Sequence, residues 1–99
     1  MLIYVSHPYG GLFSNKEKIM KVIDELSKKD PENAYICPVL LYDRLYFDEP
    51  YEIGIHRCLE MEKYCSKVIM CEGWQQSEGC NDEFNFAVLK GIPVDYYED

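Results

Sequence analysis

Residues 67–91, KVIMCEGWQQSEGCNDEFNFAVLKG, hold a strand, a loop and a helix in one unbroken run. Lys67 to Cys71 is almost continuously apolar, the pattern of a strand buried on both faces. Glu72 to Gln76 is a polar loop. A helix is predicted from about Ser77 to Lys90, with Phe84, Ala87 and Val88 as its apolar face. Gly91 ends it, because glycine takes the left-handed conformation at no steric cost. Ile92-Pro93-Val94 then starts a further strand, and Asp95 to Asp99 reads as an acidic tail. A strand that must be covered on both sides, followed at once by a helix and another strand, points to an α/β fold with a parallel sheet.

The upstream sequence repeats that logic. Leu2 to Ser6 (LIYVS) is rich in strand-forming residues and breaks at His7-Pro8-Tyr9-Gly10-Gly11. A helix follows, with Ser14 and Glu17 in capping-box spacing and Ile19, Met20, Ile23 and Leu26 at helical spacing. Asp30-Pro31 ends it, since proline disfavours helix in the residue before it and lacks an amide donor. Tyr35 to Cys37 is a short strand closed by Pro38. Residues 39–50 (VLLYDRLYFDEP) fit a loop or short helix rimming a pocket. Tyr51 to Cys65 is predicted helical, with Ile55, Cys58, Leu59 and, unusually, the carboxylate of Glu62 along one face. Strands alternating with helices predict right-handed crossovers and helices on both faces of the sheet. Ligands in such folds bind beyond the carboxyl ends of the strands. His7 to Gly11, Val39 to Asp48 and Glu72 to Glu83 are therefore the regions in which to look for a site.

The chain has 99 residues, with 10 Lys+Arg against 18 Asp+Glu and a net charge of −8. That length suits one domain, 1–99, with a small core that a second subunit would help to complete. The acidic balance excludes a nucleic-acid binder, for no basic stripe can release phosphate counterions. Runs such as Val39-Leu40-Leu41 fall far short of the roughly 20 apolar residues that span a bilayer. No basic segment precedes the apolar start, so no signal peptide is expected, and a cytoplasmic location is. Five cysteines, without a CxxC pair, read as buried thiols in a reducing compartment rather than as disulfides. His7 and His56 stand in no zinc spacing, and no metal or redox cofactor is indicated.

Ser77-Glu78-Gly79-Cys80-Asn81-Asp82-Glu83 has the form S-x-G-x-x-x-E at a helix start. Ser77 suits the N-cap, Gly79 lets a ligand approach the backbone, and the first amides of the helix lack intrahelical partners. A phosphate or carboxylate would be stabilised there. Ser77 and Glu83 are about 120° apart around the axis, yet both lie near the same helix end. Glu83 is four residues before Ala87, at the top of the apolar face, where a carboxylate beside an anion site suits attack on an electrophilic carbon. The plainer alternative is a cap serine and an ordinary acid favoured by the helix dipole.

Several segments in order resemble the nucleoside 2-deoxyribosyltransferase-like superfamily, in particular its short bacterial and phage branch. They are IYVSHPYGG (3–11), Asn15, Pro38, LLY (40–42), CLEMEKYCSKVIMCEGW (58–74), SEGCNDEFNFA (77–87) and GIPV (91–94). The resemblance covers nearly the whole chain. It implies a flavodoxin-like, Rossmann-like three-layer sandwich with four parallel strands in order 2-1-3-4. It further implies a nucleoside or nucleotide pocket and Glu83 as the nucleophile. Glu83 would attack the anomeric carbon, the base would leave, and water or a second base would resolve the ribosyl ester. By the same resemblance Ser77 and Gly79 hold a 5′-phosphate, and Asn81 is a further ligand-binding residue of the motif. The N-terminal loop (Ser6, His7, Pro8, Tyr9, Gly10 and Gly11) contributes to the pocket, and assembly as a homodimer or larger homo-oligomer is expected.

Two departures stand out. Active members carry an aspartate on the middle helix that protonates or orients the leaving base, and that position falls at Cys58. A thiol of ordinary pKa, about 8.5, is a poor substitute for a carboxyl group in that role. Asp43, Asp48, His56, Glu60 and Glu62 are open as replacements. Ser66 replaces a second aspartate, where a structural role is expected. Tyr9, Tyr46 and Trp74 are candidates to stack on a base, or else pack an interface or the core. Two functions follow as expectations: an N-ribosyl hydrolase or deoxyribosyltransferase, or a catalytically silent binder that sequesters a nucleotide or ADP-ribose-derived signal. An interaction subunit is the third.

Overall fold

The strand predicted at 67–71 is present residue for residue in the computed structural model, which describes residues 1–98. Asp99, the end of the expected acidic tail, lies outside the described residues. In chain order the elements are β1 (Leu2–Ser6), α1 (Phe13–Lys29), β2 (Ala34–Ile36) and α2 (Val39–Tyr42), then a 3-10 turn at Asp43–Leu45. There follow α3 (Tyr51–Glu62), β3 (Lys67–Cys71), a 3-10 turn at Trp74–Gln76, α4 (Glu78–Lys90) and β4 (Val94–Tyr97). The four strands form one parallel sheet in the order β2-β1-β3-β4. The fold is thus the flavodoxin-like α/β arrangement that the sequence led us to expect.

Strand alternation sorts the core into two layers. Tyr4, Val68 and Met70 point to one face and pack with Cys80 and Ala87 of α4 and with Cys58 and Met61 of α3. Val5 and Cys71 point to the other and pack with Ile19, Val22, Ile23 and Leu26 of α1. The register sets Tyr4 beside Val68 and Ser6 beside Met70, so Tyr4 and Ser6 share the face toward α3 and α4. The cleft expected at the carboxyl ends lies where strand order reverses, between β1 and β3.

Several local expectations need correction. Helix α1 starts at Phe13 with Leu12 at the N-cap, and Ser14 and Glu17 form no capping box. The cause is the turn at Gly10 and Gly11, with φ of 60° and 77°, which swings the chain into the helix two residues early. The α1 core face is Ile19, Val22, Ile23 and Leu26, while Met20 is exposed. Helix α3 ends at Glu62 rather than Cys65, and Ser66 donates its amide to the Leu2 carbonyl at 2.8 Å to enter the sheet. The α4 face is Cys80, Glu83, Phe84 and Ala87, with Val88 61% exposed. Gly91, at φ 72°, closes α4 as expected, and the Ile92 amide donates to the Ala87 carbonyl at 2.9 Å. Asp95 to Tyr97 belong to β4 rather than to a tail, and Asp95 pairs with Lys67 across the edge at 2.9 Å.

This packing has a direct check in urea denaturation. Met70→Ala, on the central strand β3 and 1% exposed, is expected to cost about 2–5 kcal/mol. Val88→Ser is expected to stay within about 0.5 kcal/mol. A large loss for Val88→Ser would restore the face first read from the sequence.

Candidate functional site

A cleft of about 620 Å³ opens over the carboxyl ends of β1 and β3. One wall is the loop after β1, through His7, Pro8, Tyr9 and Gly10. The second is the irregular segment after β2, with Tyr42, Asp43 and Tyr46. The third is the first turn of α4, with Ser77, Glu78 and Gly79, and α3 contributes Arg57 and Cys58. Glu83 lies on the floor.

Glu83 is only 7% exposed, although it borders the cleft. Its position in the second turn of α4 aims it at the β1 face that carries Tyr4 and Ser6. The Tyr4 hydroxyl donates a very short hydrogen bond to Oε2, and the Ser6 hydroxyl donates to Oε1 at 2.7 Å. Each oxygen is therefore held. Burial pushes the carboxyl up to about 7, the two hydroxyl hydrogen bonds pull against that, and nearby Asp82 adds to the rise. Near neutrality the group is poised between acid and carboxylate.

The helix end above it is ordered by its own sequence. Ser77 is the N-cap, and its hydroxyl accepts from the Cys80 amide at 3.2 Å. The Asn81 amide group donates to the Gln75 and Ser77 carbonyls at 2.9 and 2.8 Å, so this side chain fixes the loop and does not line the cleft. The Tyr51 hydroxyl donates to Asp82 at 2.5 Å and lies over Gly79.

Of the other charged groups of the cleft, Asp43, Glu49 and Arg57 are already paired, whereas Glu78 is exposed at the start of α4. Lys16 bonds Asp43 at 2.6 Å and holds its carboxyl below the usual range. Arg57 makes two bonds to Glu49, at 2.9 and 3.0 Å, while its guanidinium lies over the Tyr42 ring at 4.4 Å. Glu49 is held low for the same reason. Cys58, where the resemblance leads one to expect an aspartate, lines the cleft as a thiol that burial, then the Glu83 charge, push up to about 12. Of the replacements left open, Asp43 alone borders the cleft; Asp48, His56, Glu60 and Glu62 do not.

Among the expected site residues, the cleft gathers Glu83, His7, Pro8, Tyr9, Gly10, Ser77 and Gly79. Ser6 stands behind Glu83 as its hydrogen-bond donor. Gly11 is covered by the Phe47 ring, which a Cβ at that position would strike. Trp74 turns away at Gly73, φ 85°, and stacks on Phe84 with ring centroids 4.8 Å apart. Tyr9 and Tyr46 do meet on the cleft wall, edge to face at 5.0 Å. Tyr4 is the residue the sequence reading missed. Its spacing of two from Ser6 on one strand was the available signal. No group of three metal-ligating side chains occurs among the described residues, and no helix there is long and apolar enough to cross a membrane.

Residues 1–96 match the family model described as Domain of unknown function (DUF4406). The chain belongs to that family. None of the curated proteins matches it. Within this domain a second carboxylate is more unusual than Glu83. Glu62 is completely buried, and neither of its oxygens has a hydrogen-bond partner. Burial, then the nearby Glu83 charge, push its pKa up to about 8, so it is held as the neutral acid at pH 7.

Both carboxyls keep their protons to higher pH when folded than the ordinary value of 4.5 allows. Their contribution to stability is therefore complete below about pH 4.5 and is lost as pH rises through about 7 and 8. Thermal denaturation from pH 5 to 9 is expected to show a falling Tm. Glu62→Gln should flatten that fall and raise Tm at pH 8.5, whereas an unchanged slope would mean that Glu62 reaches water. Tyr4→Phe and Ser6→Ala should each cost about 1–3 kcal/mol at pH 8, since each leaves a buried oxygen of Glu83 without its donor. Equal stability in urea titrations would contradict that pairing.

Proposed function

We propose that this domain is a nucleoside- or nucleotide-pocket protein that cleaves or transfers at an N-glycosidic bond, with Glu83 as nucleophile. The carrying observation is the carboxylate on the cleft floor, with one oxygen held by Tyr4 and the other by Ser6. The motif likeness to nucleoside 2-deoxyribosyltransferases supports the same reading. A Glu83 oxygen attacks the anomeric carbon as the carbon–nitrogen bond breaks, and the bonding pair leaves with the base. The base takes a proton, and a glycosyl ester remains on Glu83. Water then attacks the same carbon, gives up one proton and frees the carboxylate. The hydroxyls of Tyr4 and Ser6 support the ionised form of Glu83 and hold it in one orientation for attack. Tyr9 and Tyr46 offer aromatic surface for the base, and the start of α4 offers amides for the sugar or its phosphate.

Cys58 favours a second reading, a pocket that binds without turnover, because a thiol held near 12 is a weak proton donor to a leaving base. Such a protein would retain a nucleotide or ADP-ribose-derived signal unchanged. A homodimer or larger homo-oligomer also belongs to the proposal, supported by Leu12, Phe13 and Phe47, which are exposed beside the cleft. A cytoplasmic location is supported by Cys37, Cys58, Cys65 and Cys80, which stand as free thiols.

The test is incubation with nucleosides, 5′-monophosphates, NAD and ADP-ribose, read by mass spectrometry of both solution and intact protein. Free base is expected, with a glycosyl adduct on wild type that Glu83→Gln lacks. Glu83→Gln should lose at least about 100-fold in turnover, and kcat/KM of wild type should rise through about pH 7 as Glu83 ionises. Undiminished turnover in Glu83→Gln would overturn the nucleophile assignment, and tight binding without product would establish the second reading.

A further inference from the structure

We propose that His7 is the proton donor to the departing base, standing in for the carboxyl group that the α3 wall lacks at Cys58; this rests on Glu83 being the nucleophile. The reaction requires one proton to reach the base nitrogen in the first step and one to leave water in the second. A single group that gives and then takes back a proton satisfies both.

The cleft narrows the choice of that group. Asp43 is tied to Lys16 and Glu49 to Arg57, and each cation holds its partner as the carboxylate. Glu62 carries a proton but stands outside the cleft lining. The Tyr51 hydroxyl donates to Asp82, and burial raises its pKa far above neutrality. His7 borders the cleft with Glu83, and the residue before it, Ser6, holds Glu83 Oε1 at 2.7 Å. Ser6, the last residue of β1, thus supports the nucleophile, and His7, the first residue of the loop after it, carries the donor.

One nitrogen of the ring is already engaged. His7 Nδ1 is 2.8 Å from the Pro8 carbonyl, and a carbonyl only accepts, so Nδ1 carries hydrogen. The exchangeable position is then Nε2, the nitrogen left to receive or release a proton. In the first step Nε2–H of the imidazolium passes its proton to the base nitrogen as the glycosidic bond breaks. In the second, neutral Nε2 takes the proton from water as the ester opens, which restores the starting state. An imidazole nitrogen suits both halves because it can either carry a hydrogen and donate it or accept one.

Leaving-group dependence tests the assignment. His7→Asn keeps a side-chain amide donor for the Pro8 carbonyl and deletes Nε2. Purine and pyrimidine nucleosides need protonation of the leaving base, whereas the cationic base of nicotinamide riboside departs neutral without it. His7→Asn is expected to lose about 100-fold or more in the first-turnover rate of base release from the former, and to release nicotinamide from nicotinamide riboside in its first turnover at the wild-type rate, because there only the later opening of the ester draws on His7. Added imidazole should return part of the lost rate. The retained pyridinium activity also shows that the variant is folded. Equal loss on both substrate classes, or on neither, overturns the assignment, as does a leaving-group-dependent loss in Glu78→Gln instead. A wild type that cleaves only nicotinamide riboside overturns His7 as donor and leaves Glu83 standing. A wild type that cleaves nothing overturns both.

Discussion

The hydrogen bonds from Tyr4 and Ser6 to Glu83 tie the central strand β1 to the helix that closes the cleft. They settle more than the carboxylate. Glu83 is in the second turn of α4, so fixing it also fixes where the first turn, with Ser77 and Gly79, faces the strand ends. β1 pairs with β2 on one side and β3 on the other, so it is an interior strand held along both edges. An acid in this position is costly to bury, and two hydroxyl donors offset that cost only while the strand register stays as it is. A slip of one residue would turn both hydroxyls to the α1 face.

Glu62 shows what the same burial does without donors. It stands one turn after Cys58 on α3, inside the layer that Tyr4, Met70 and Cys80 build. An apolar residue of similar volume would fill that space at lower cost, so core packing alone gives no reason for a carboxyl group there. Its presence near Glu83 has one physical consequence. If either acid ionises, it raises the proton affinity of the other, so the two titrate as a pair across pH 7 to 8. The core thereby carries a pH-sensitive element connected to the cleft floor.

The sequence made legible whatever depends on local pattern. KVIMC was readable as a doubly covered strand because five nearly apolar residues fit no amphipathic scheme, and Gly91 was readable as a helix end. What failed was orientation. The buried stripe of α4 is rotated toward Cys80 and Glu83 and leaves Val88 in water, because a carboxylate with two buried donors behaves as a core residue although its type predicts a polar face. Trp74 looked like a stacking platform at a strand end, but the left-handed turn at Gly73 sends it to Phe84. Asn81 stood in the motif as a ligand contact and serves the loop instead. Tyr4 passed unnoticed because its partner lies 79 residues away, beyond any local period.

The irregular wall at 39–50 explains how so short a chain encloses a cleft at all. This segment has a four-residue helix and a single 3-10 turn, too little regular structure to hold itself. The Lys16–Asp43 pair fastens it to α1, and the Arg57–Glu49 pair, with Arg57 over Tyr42, fastens it to α3. These cations therefore serve the wall. An anionic ligand that drew Arg57 away would loosen the surface that encloses it. Glu78 and Asp82 stand on the α4 side, so the cleft offers a phosphate little beyond backbone amides. Recognition then falls mainly on the uncharged parts of a ligand, which in the proposed reading are the sugar against the start of α4 and the base against Tyr9 and Tyr46. Since ion pairs of this half-exposed kind weaken with salt, wall and ligand should respond to ionic strength through the wall's own fastening rather than through direct charge on the ligand.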